Sequence, residues 1–85
     1  MKIEYSPKFR RLYKKLPDQI KSLIEEKEDI FFKDPFDSRL RTHKLTGVLD
    51  GYWAFSIDYK HRAIFKFAGK DKILMVAIGD HSIYR

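Results

Sequence analysis

Histidines stand at positions 43, 61 and 81 of this 85-residue chain, each within four residues of an arginine or lysine. An imidazole gives or takes a proton at modest cost near neutrality, because its unperturbed pKa is about 6.5. A guanidinium such as that of Arg62 binds two phosphate oxygens in a fixed fork and keeps its charge at any physiological pH. These residue types suit proton transfer beside a stabilised oxyanion. The chain has no cysteine, which excludes a disulfide framework and a thiolate zinc site and makes a reducing cytoplasm the default compartment.

The net charge is +6 and the excess is unevenly spread. Residues 1–17 hold six basic side chains against one acidic, residues 18–38 hold three against seven, and residues 39–85 hold nine against four. Two basic segments flank an acidic one. A polyanion such as nucleic acid would be drawn to the basic segments by counterion release, while the acidic stretch faces elsewhere. Solubilising surface charge is the alternative reading. The opening Met1-Lys2-Ile3-Glu4-Tyr5 lacks the apolar run of a signal peptide and no later stretch is long enough to cross a bilayer, so a soluble protein with no membrane partner is expected. The length fits one domain, and a hydrophobic share of 44% gives it enough apolar material for a core.

The elements that must position the histidines are readable from periodicity. Ser6-Pro7 is a helix start, with Ser as N-cap and Pro at the first helical position, so Met1 to Tyr5 is a first strand. Phe9, Leu12, Tyr13 and Leu16 then recur at helical spacing among Lys8, Arg10, Arg11, Lys14 and Lys15. Pro17-Asp18 breaks that helix and starts a second, with Ile20, Leu23, Ile24 and Phe31 as its apolar stripe, ending at Asp34-Pro35-Phe36-Asp37-Ser38. A connecting segment runs to about Asp50. From Gly51 the period becomes two, with Trp53, Phe55, Ile57 and Tyr59 alternating against Tyr52, Ala54, Ser56 and Asp58. Arg62 to Phe67 and Ile73 to Ile78 form two more strands around the turn Ala68-Gly69-Lys70-Asp71. The order β-α-α-β-β-β predicts an α+β fold: a helical hairpin on one face of a mainly antiparallel sheet, with the other face free for a site. Trp53, Phe55, Ile57, Phe65 and Phe67 are expected in the core.

The run Arg41-Thr42-His43-Lys44-Leu45-Thr46-Gly47, the stretch GYWAFSIDYKHRAIFKF from Gly51 and the ending IGDHSIYR together resemble the RelE/ParE toxin superfamily, and within it the RelE, YafQ and YoeB types. The resemblance covers nearly the whole chain and implies one RelE-like toxin domain over residues 1–85. It also implies the toxin of a type II toxin–antitoxin system: a ribosome-dependent, metal-independent mRNA endonuclease with a cognate antitoxin, no small-molecule cofactor and no metal. A ParE-like inhibitor of DNA gyrase, or a non-catalytic nucleic-acid-binding relative, shares the fold and is the alternative. The chain departs from YafQ-like toxins in having Ser56 where they carry a further His and Lys60-His61 where they carry Asp-Trp. It also lacks the glutamate of YoeB-like toxins near Thr42-His43-Lys44.

The resemblance implies the roles. Metal-free RNA cleavage needs a base for the ribose 2′-hydroxyl, a cation for the phosphorane and an acid for the departing 5′-oxygen. His81 matches the C-terminal catalytic His and is the expected acid, unless it only caps the last strand's backbone. His43 is the candidate base or nucleotide ligand, against simple solvation. Arg62 matches the Arg placed against the scissile phosphate, against an ion pair with Asp58 or Asp80. Tyr84 matches a C-terminal Tyr that stacks on or orients the attacked nucleotide, against packing on the sheet edge. Arg41, Lys44, Lys60 and Arg85 are the expected RNA-binding fringe, and His61, next to Arg62 on the opposite face, is expected to be peripheral.

Overall fold

The computed structural model describes residues 1–84, so Arg85 lies outside the described residues. The elements are β1 (Lys2–Tyr5), α1 (Pro7–Lys14), α2 (Asp18–Lys33), β2 (His43–Lys44), β3 (Trp53–Ser56), β4 (Arg62–Phe67) and β5 (Lys72–Gly79), with 3-10 turns at Ser38–Leu40, Gly47–Leu49 and His81–Tyr84. One five-stranded sheet has the order β1-β5-β4-β3-β2, with β1 parallel to β5 and the other pairs antiparallel. Among the described residues no helix is long and apolar enough to cross a membrane.

Ser6 and Pro7 start α1 as their types dictate. The Ser6 side-chain oxygen accepts the Phe9 N–H at 3.0 Å, and the same hydroxyl donates to the Val76 carbonyl oxygen at 2.7 Å, so one residue caps the helix and pins it to β5. The stripe of α2 carries the main core. Phe31 packs on Phe55 and Phe65 with ring centroids 4.7 and 4.9 Å away, and Ile24, Ile73, Met75 and Ile78 close around them. Burying each such side chain stabilises the fold by about 1.5–3 kcal/mol.

Four features depart from the sequence expectation. The segment from Arg39 to Asp50 is more than a connection, since His43–Lys44 add a fifth strand and Gly47–Leu49 a 3-10 turn. The third strand stops at Ser56, and Tyr59, expected in the buried alternation, is 97% exposed. The Asp58 carboxylate causes this stop by accepting the N–H groups of Lys60 and His61 at 2.9 and 2.6 Å, which turns the chain out of strand geometry. The face away from α2 is partly covered rather than free: Ile64, Ala77 and Ile83 form a second cluster there with Leu45, Leu49, Tyr52 and Tyr84. Phe67, finally, is 44% exposed at the far end of β4, where its ring neighbours are Trp53, Phe36 and Phe65.

The register explains how one strand serves both faces. Phe65 pairs with Met75 but Ile64 pairs with Ala77, so Val76 is an extra residue in β5, a bulge. Beyond it Ala77 and Gly79 turn to the second face, opposite Ile64 and Arg62, and Ile78 returns to the core opposite Ala63. Gly79 is where the C-terminal 3-10 turn folds back over the sheet. A Cβ there would stand 2.7 Å from the Ile83 Cγ2, and Ile83 is buried in the cluster with Ile64 and Ala77. Gly79→Ala should therefore destabilise the protein by about 1–3 kcal/mol through overpacking, and urea unfolding monitored by circular dichroism measures it.

Candidate active site

Three chain segments end at one corner of the sheet: the β3–β4 hairpin loop, the start of β4 at Arg62 and the end of β5 at Gly79. Cross-strand partners share a face, and Ser56, Arg62 and Gly79 form one row on the face away from α2. The Arg62 side chain folds into its own hairpin. Its Nη1 donates to the carbonyl oxygens of Asp58 at 2.7 Å, His61 at 3.0 Å and Tyr59 at 3.4 Å. Arg62 is therefore held by neutral dipoles, and the expected alternative of an ion pair with Asp58 or Asp80 is absent among the described residues. The Asp58 carboxylate is engaged by the His61 ring, Nδ1 to Oδ1 3.0 Å. Burial alone would raise the Asp58 pKa, but the bonds from His61 and Lys60 outweigh it and hold the carboxyl below its ordinary range. His61 is thus a structural partner of the loop rather than a bystander.

The last 3-10 turn brings His81 and Tyr84 to the same corner. Asp80 Oδ1 accepts the Ser82 N–H at 3.0 Å and the Asp80 carbonyl accepts from Ile83 at 3.1 Å, which starts the turn with His81 exposed beside it. The Asp80 carboxyl is depressed by these Ser82 bonds first and by the nearby positive Lys60 and His61 after them, so the hairpin loop and the turn are electrostatic neighbours. The His81 and Tyr84 rings lie 6.1 Å apart. Burial pushes the Tyr84 hydroxyl up, and the positive charge of Arg62 pulls it the other way. The turn bearing His81 and Tyr84 thus follows directly on Gly79, the cross-strand partner of Arg62.

His43 belongs to the next row of the same face, opposite Ala54 and in line with Ile64 and Ala77. It is two strands and two residues from Arg62, about 12 Å between backbones at ordinary strand spacing. Its Nδ1 lies 3.0 Å from the Arg41 carbonyl oxygen. A carbonyl only accepts, so Nδ1 carries the proton and the lone pair of the neutral ring is left at Nε2. Lys44 takes the other face: it pairs with Trp53, and its Nζ sits 6.0 Å over the Trp53 ring. Lys44 thus stands on the face opposite to that of His43 and Arg62.

At the outer edge of β3, beyond the end of the two-residue β2, a groove of ≈ 370 Å³ is lined by Lys27, Arg39, Arg41, Asp58, Tyr59 and Arg62 together with Ser56 and Ile57. Four of these side chains are cationic. Arg39 is committed to Asp37 through two 3.0 Å bonds, which hold the Asp37 carboxyl at about 2; Lys27 and Arg41 make no ion pair among the described residues. Sequence reasoning missed Lys27 and Tyr59. The signal for Lys27 was present: it lies three residues after Ile24 and four before Phe31, inside the apolar stripe of α2, where a cation needs a reason. No three His, Cys, Asp or Glu side chains among the described residues are grouped to hold a metal ion.

Comparison with known proteins follows from this geometry. A YoeB/ParE toxin from Agrobacterium tumefaciens superposes with a TM-score of 0.80 at 19% identity, over 95% of this chain and 99% of that one. YafQ from E. coli strain BL21(DE3) superposes equally well, TM-score 0.80 at 19% identity over 96% and 94%. The chain has the fold of these solved toxins. YafQ in the E. coli DinJ–YafQ toxin–antitoxin complex matches at a TM-score of 0.74 and 20% identity, over 95% of this chain and 92% of that chain. In sequence, 49 residues are 37% identical to Toxin YoeB of Mycobacterium bovis (strain ATCC BAA-935 / AF2122/97) and equally to Toxin RelK of Mycobacterium tuberculosis (strain ATCC 25618 / H37Rv). That match covers 58% of this chain and 56%, about half, of each relative. No protein-family profile matches the chain.

The Asp58 loop sets where the Arg62 guanidinium stands. Asp58→Ala removes the acceptor for two main-chain N–H groups and the His61 ring, and should cost about 1–2 kcal/mol of stability at neutral pH. Because the native carboxyl titrates below its ordinary value of 3.8, that stabilisation is present above pH 3.8 and is lost as the pH falls through the folded-state value. Unfolding midpoints of the variant and the native protein should converge in acid and separate above pH 4.

Proposed function

We propose that this chain is the toxin of a toxin–antitoxin pair and a metal-independent endoribonuclease that cuts mRNA on the ribosome, in the cytoplasm. The observation that supports this reading is that the His81–Tyr84 turn follows Gly79, the cross-strand partner of Arg62, and that Arg62 also lines a cationic groove. In this reading the scissile phosphate sits against the Arg62 donors that the hairpin carbonyls do not use. His43 takes the 2′-hydroxyl proton at Nε2, the 2′-oxygen attacks phosphorus, and negative charge develops on the phosphorane oxygens, where the fixed guanidinium stabilises it. His81 gives its proton to the 5′-oxygen as the P–O5′ bond breaks. The products are a 2′,3′-cyclic phosphate and a free 5′-hydroxyl, and the two histidines end with exchanged protonation states. Tyr84 packs against the attacked nucleotide, Lys60 and Arg41 hold flanking phosphates, and Arg85 extends this fringe in sequence.

The fold alone does not separate a nuclease from a ParE-like gyrase inhibitor. Titratable rings around a dipole-held arginine favour the nuclease, because protein binding needs no proton donor. An antitoxin partner is supported by the neighbouring DinJ–YafQ complex and by the basic surface of α1, which suits an acidic, initially disordered segment.

Primer extension on translated messages tests the reading. His81→Ala should lower cleavage by about 10²–10⁴-fold, the usual contribution of a general acid, without loss of helical signal. Arg62→Lys should lower it by about 10²-fold or more, since Lys cannot reproduce the fork. His43→Ala should remove the limb of the pH–rate profile that rises as the base deprotonates. Intact messages with loss of DNA supercoiling would instead identify a gyrase inhibitor.

A further inference from the structure

The groove at the β3 edge has a feature that phosphate binding does not require. Tyr59 stands at its lip with 97% of its surface exposed, and its ring contacts no other aromatic ring among the described residues. The position is nonetheless fixed: the Tyr59 carbonyl oxygen accepts from Arg62 at 3.4 Å, and the loop around it is tied by Asp58. Opposite stand Lys27, placed by the α2 stripe, and Arg41, whose backbone adopts a left-handed conformation at φ 51. A non-glycine residue in that region costs energy and is retained where its direction matters.

We infer that the Tyr59 ring with Lys27 and Arg41 forms a nucleotide subsite for single-stranded RNA, next to the scissile position, with Tyr59 stacking on a base and the two cations holding its phosphate. This rests on the nuclease reading and extends it, because the strand then leaves the sheet face over the edge of β3 rather than following the basic first helix. A planar ring beside fixed cations matches the alternation of base and phosphate along a single strand. An acidic peptide offers carboxylates to the cations and nothing that needs a fully exposed ring.

The test measures binding apart from cleavage. The full chain is titrated with a fluorescent 2′-O-methyl octanucleotide, which has no nucleophile, and with an abasic strand of equal phosphate number. Tyr59→Ala should weaken the octanucleotide by roughly five- to a hundredfold and change the abasic strand by less than about twofold. Tyr59→Trp should retain binding. Lys27→Ala and Arg41→Ala should weaken both strands alike, each lowering the salt slope by about 0.7, the share of one neutralised phosphate on a single strand. Equal effects of Tyr59→Ala on both strands, or an unchanged salt slope in both cation variants, would overturn the inference. So would an octaglutamate peptide that loses as much affinity as the octanucleotide on Tyr59→Ala, since the groove would then be a peptide site. Circular dichroism confirms that each variant is folded. Failure here leaves message cleavage by the native protein standing, whereas a native protein that cuts no message but shows the Tyr59 contrast loses the nuclease reading and keeps the subsite.

Discussion

A guanidinium held by three main-chain carbonyl oxygens sets the geometry of this corner. Arg62 and the loop before it define each other: the loop carbonyls point inward because Asp58 has taken the N–H groups of Lys60 and His61, and they find a donor because Arg62 opens β4 beside them. A carboxylate in that place would have neutralised the guanidinium and absorbed its charge. Carbonyl dipoles fix the group and leave its net charge available, which is the condition for stabilising an anion without reorganisation.

The second anchor of the site is apolar. A four-residue 3-10 turn has little stability of its own, and His81–Tyr84 is kept on the sheet by Ile83, which is buried against Ile64 and Ala77. The bulge at Val76 is what makes those partners available, since it rotates Ala77 and Gly79 to the second face while leaving Met75 and Ile78 in the main core. Ser6 ties the same Val76 carbonyl to the start of α1. A chain of short-range contacts thus runs from the first helix, through an irregularity in β5, to the turn bearing His81, which Ile83 anchors to the sheet.

Much of this was legible in the sequence. The N-cap of α1, the break at Pro17, the second-helix stripe and the span of β4 follow from residue types that have one local solution. The rest failed for identifiable reasons. β2 is two exposed residues long, too short for any period to register. β5 reads as an unbroken apolar run because both its faces are covered, so nothing in it marks the bulge. Tyr59 continued the alternation of Trp53, Phe55 and Ile57 by type, and only the Asp58 side chain, competing for backbone N–H groups, ended the strand before it. His81, Arg62 and Tyr84 were singled out through resemblance alone, whereas Lys27, which lines the groove, was hidden among acidic neighbours.

Those neighbours show how a helix sorts charge that a sequence window averages. Residues 25 to 28 are Glu, Glu, Lys and Glu, each rotated by about 100° from the last. Glu25 and Glu26 are exposed, Lys27 lines the groove, and Glu28 turns into the cleft between the helices, where it accepts the Tyr5 hydroxyl at 2.7 Å. Burial there raises the Glu28 pKa against the opposing effect of that bond, and it also raises that of Tyr5. The acidic segment is therefore not a uniform repulsive wall. Glu25 and Glu26 are exposed on the helix surface, while Lys27, between them and Glu28, is presented at the groove. With screening over about 8–10 Å at physiological salt, an approaching polyanion feels mainly the nearest charges, so it is disfavoured over the back of α2 and favoured along the groove. A polyanion would thus be oriented by these charges before it reached the corner of the sheet at Arg62.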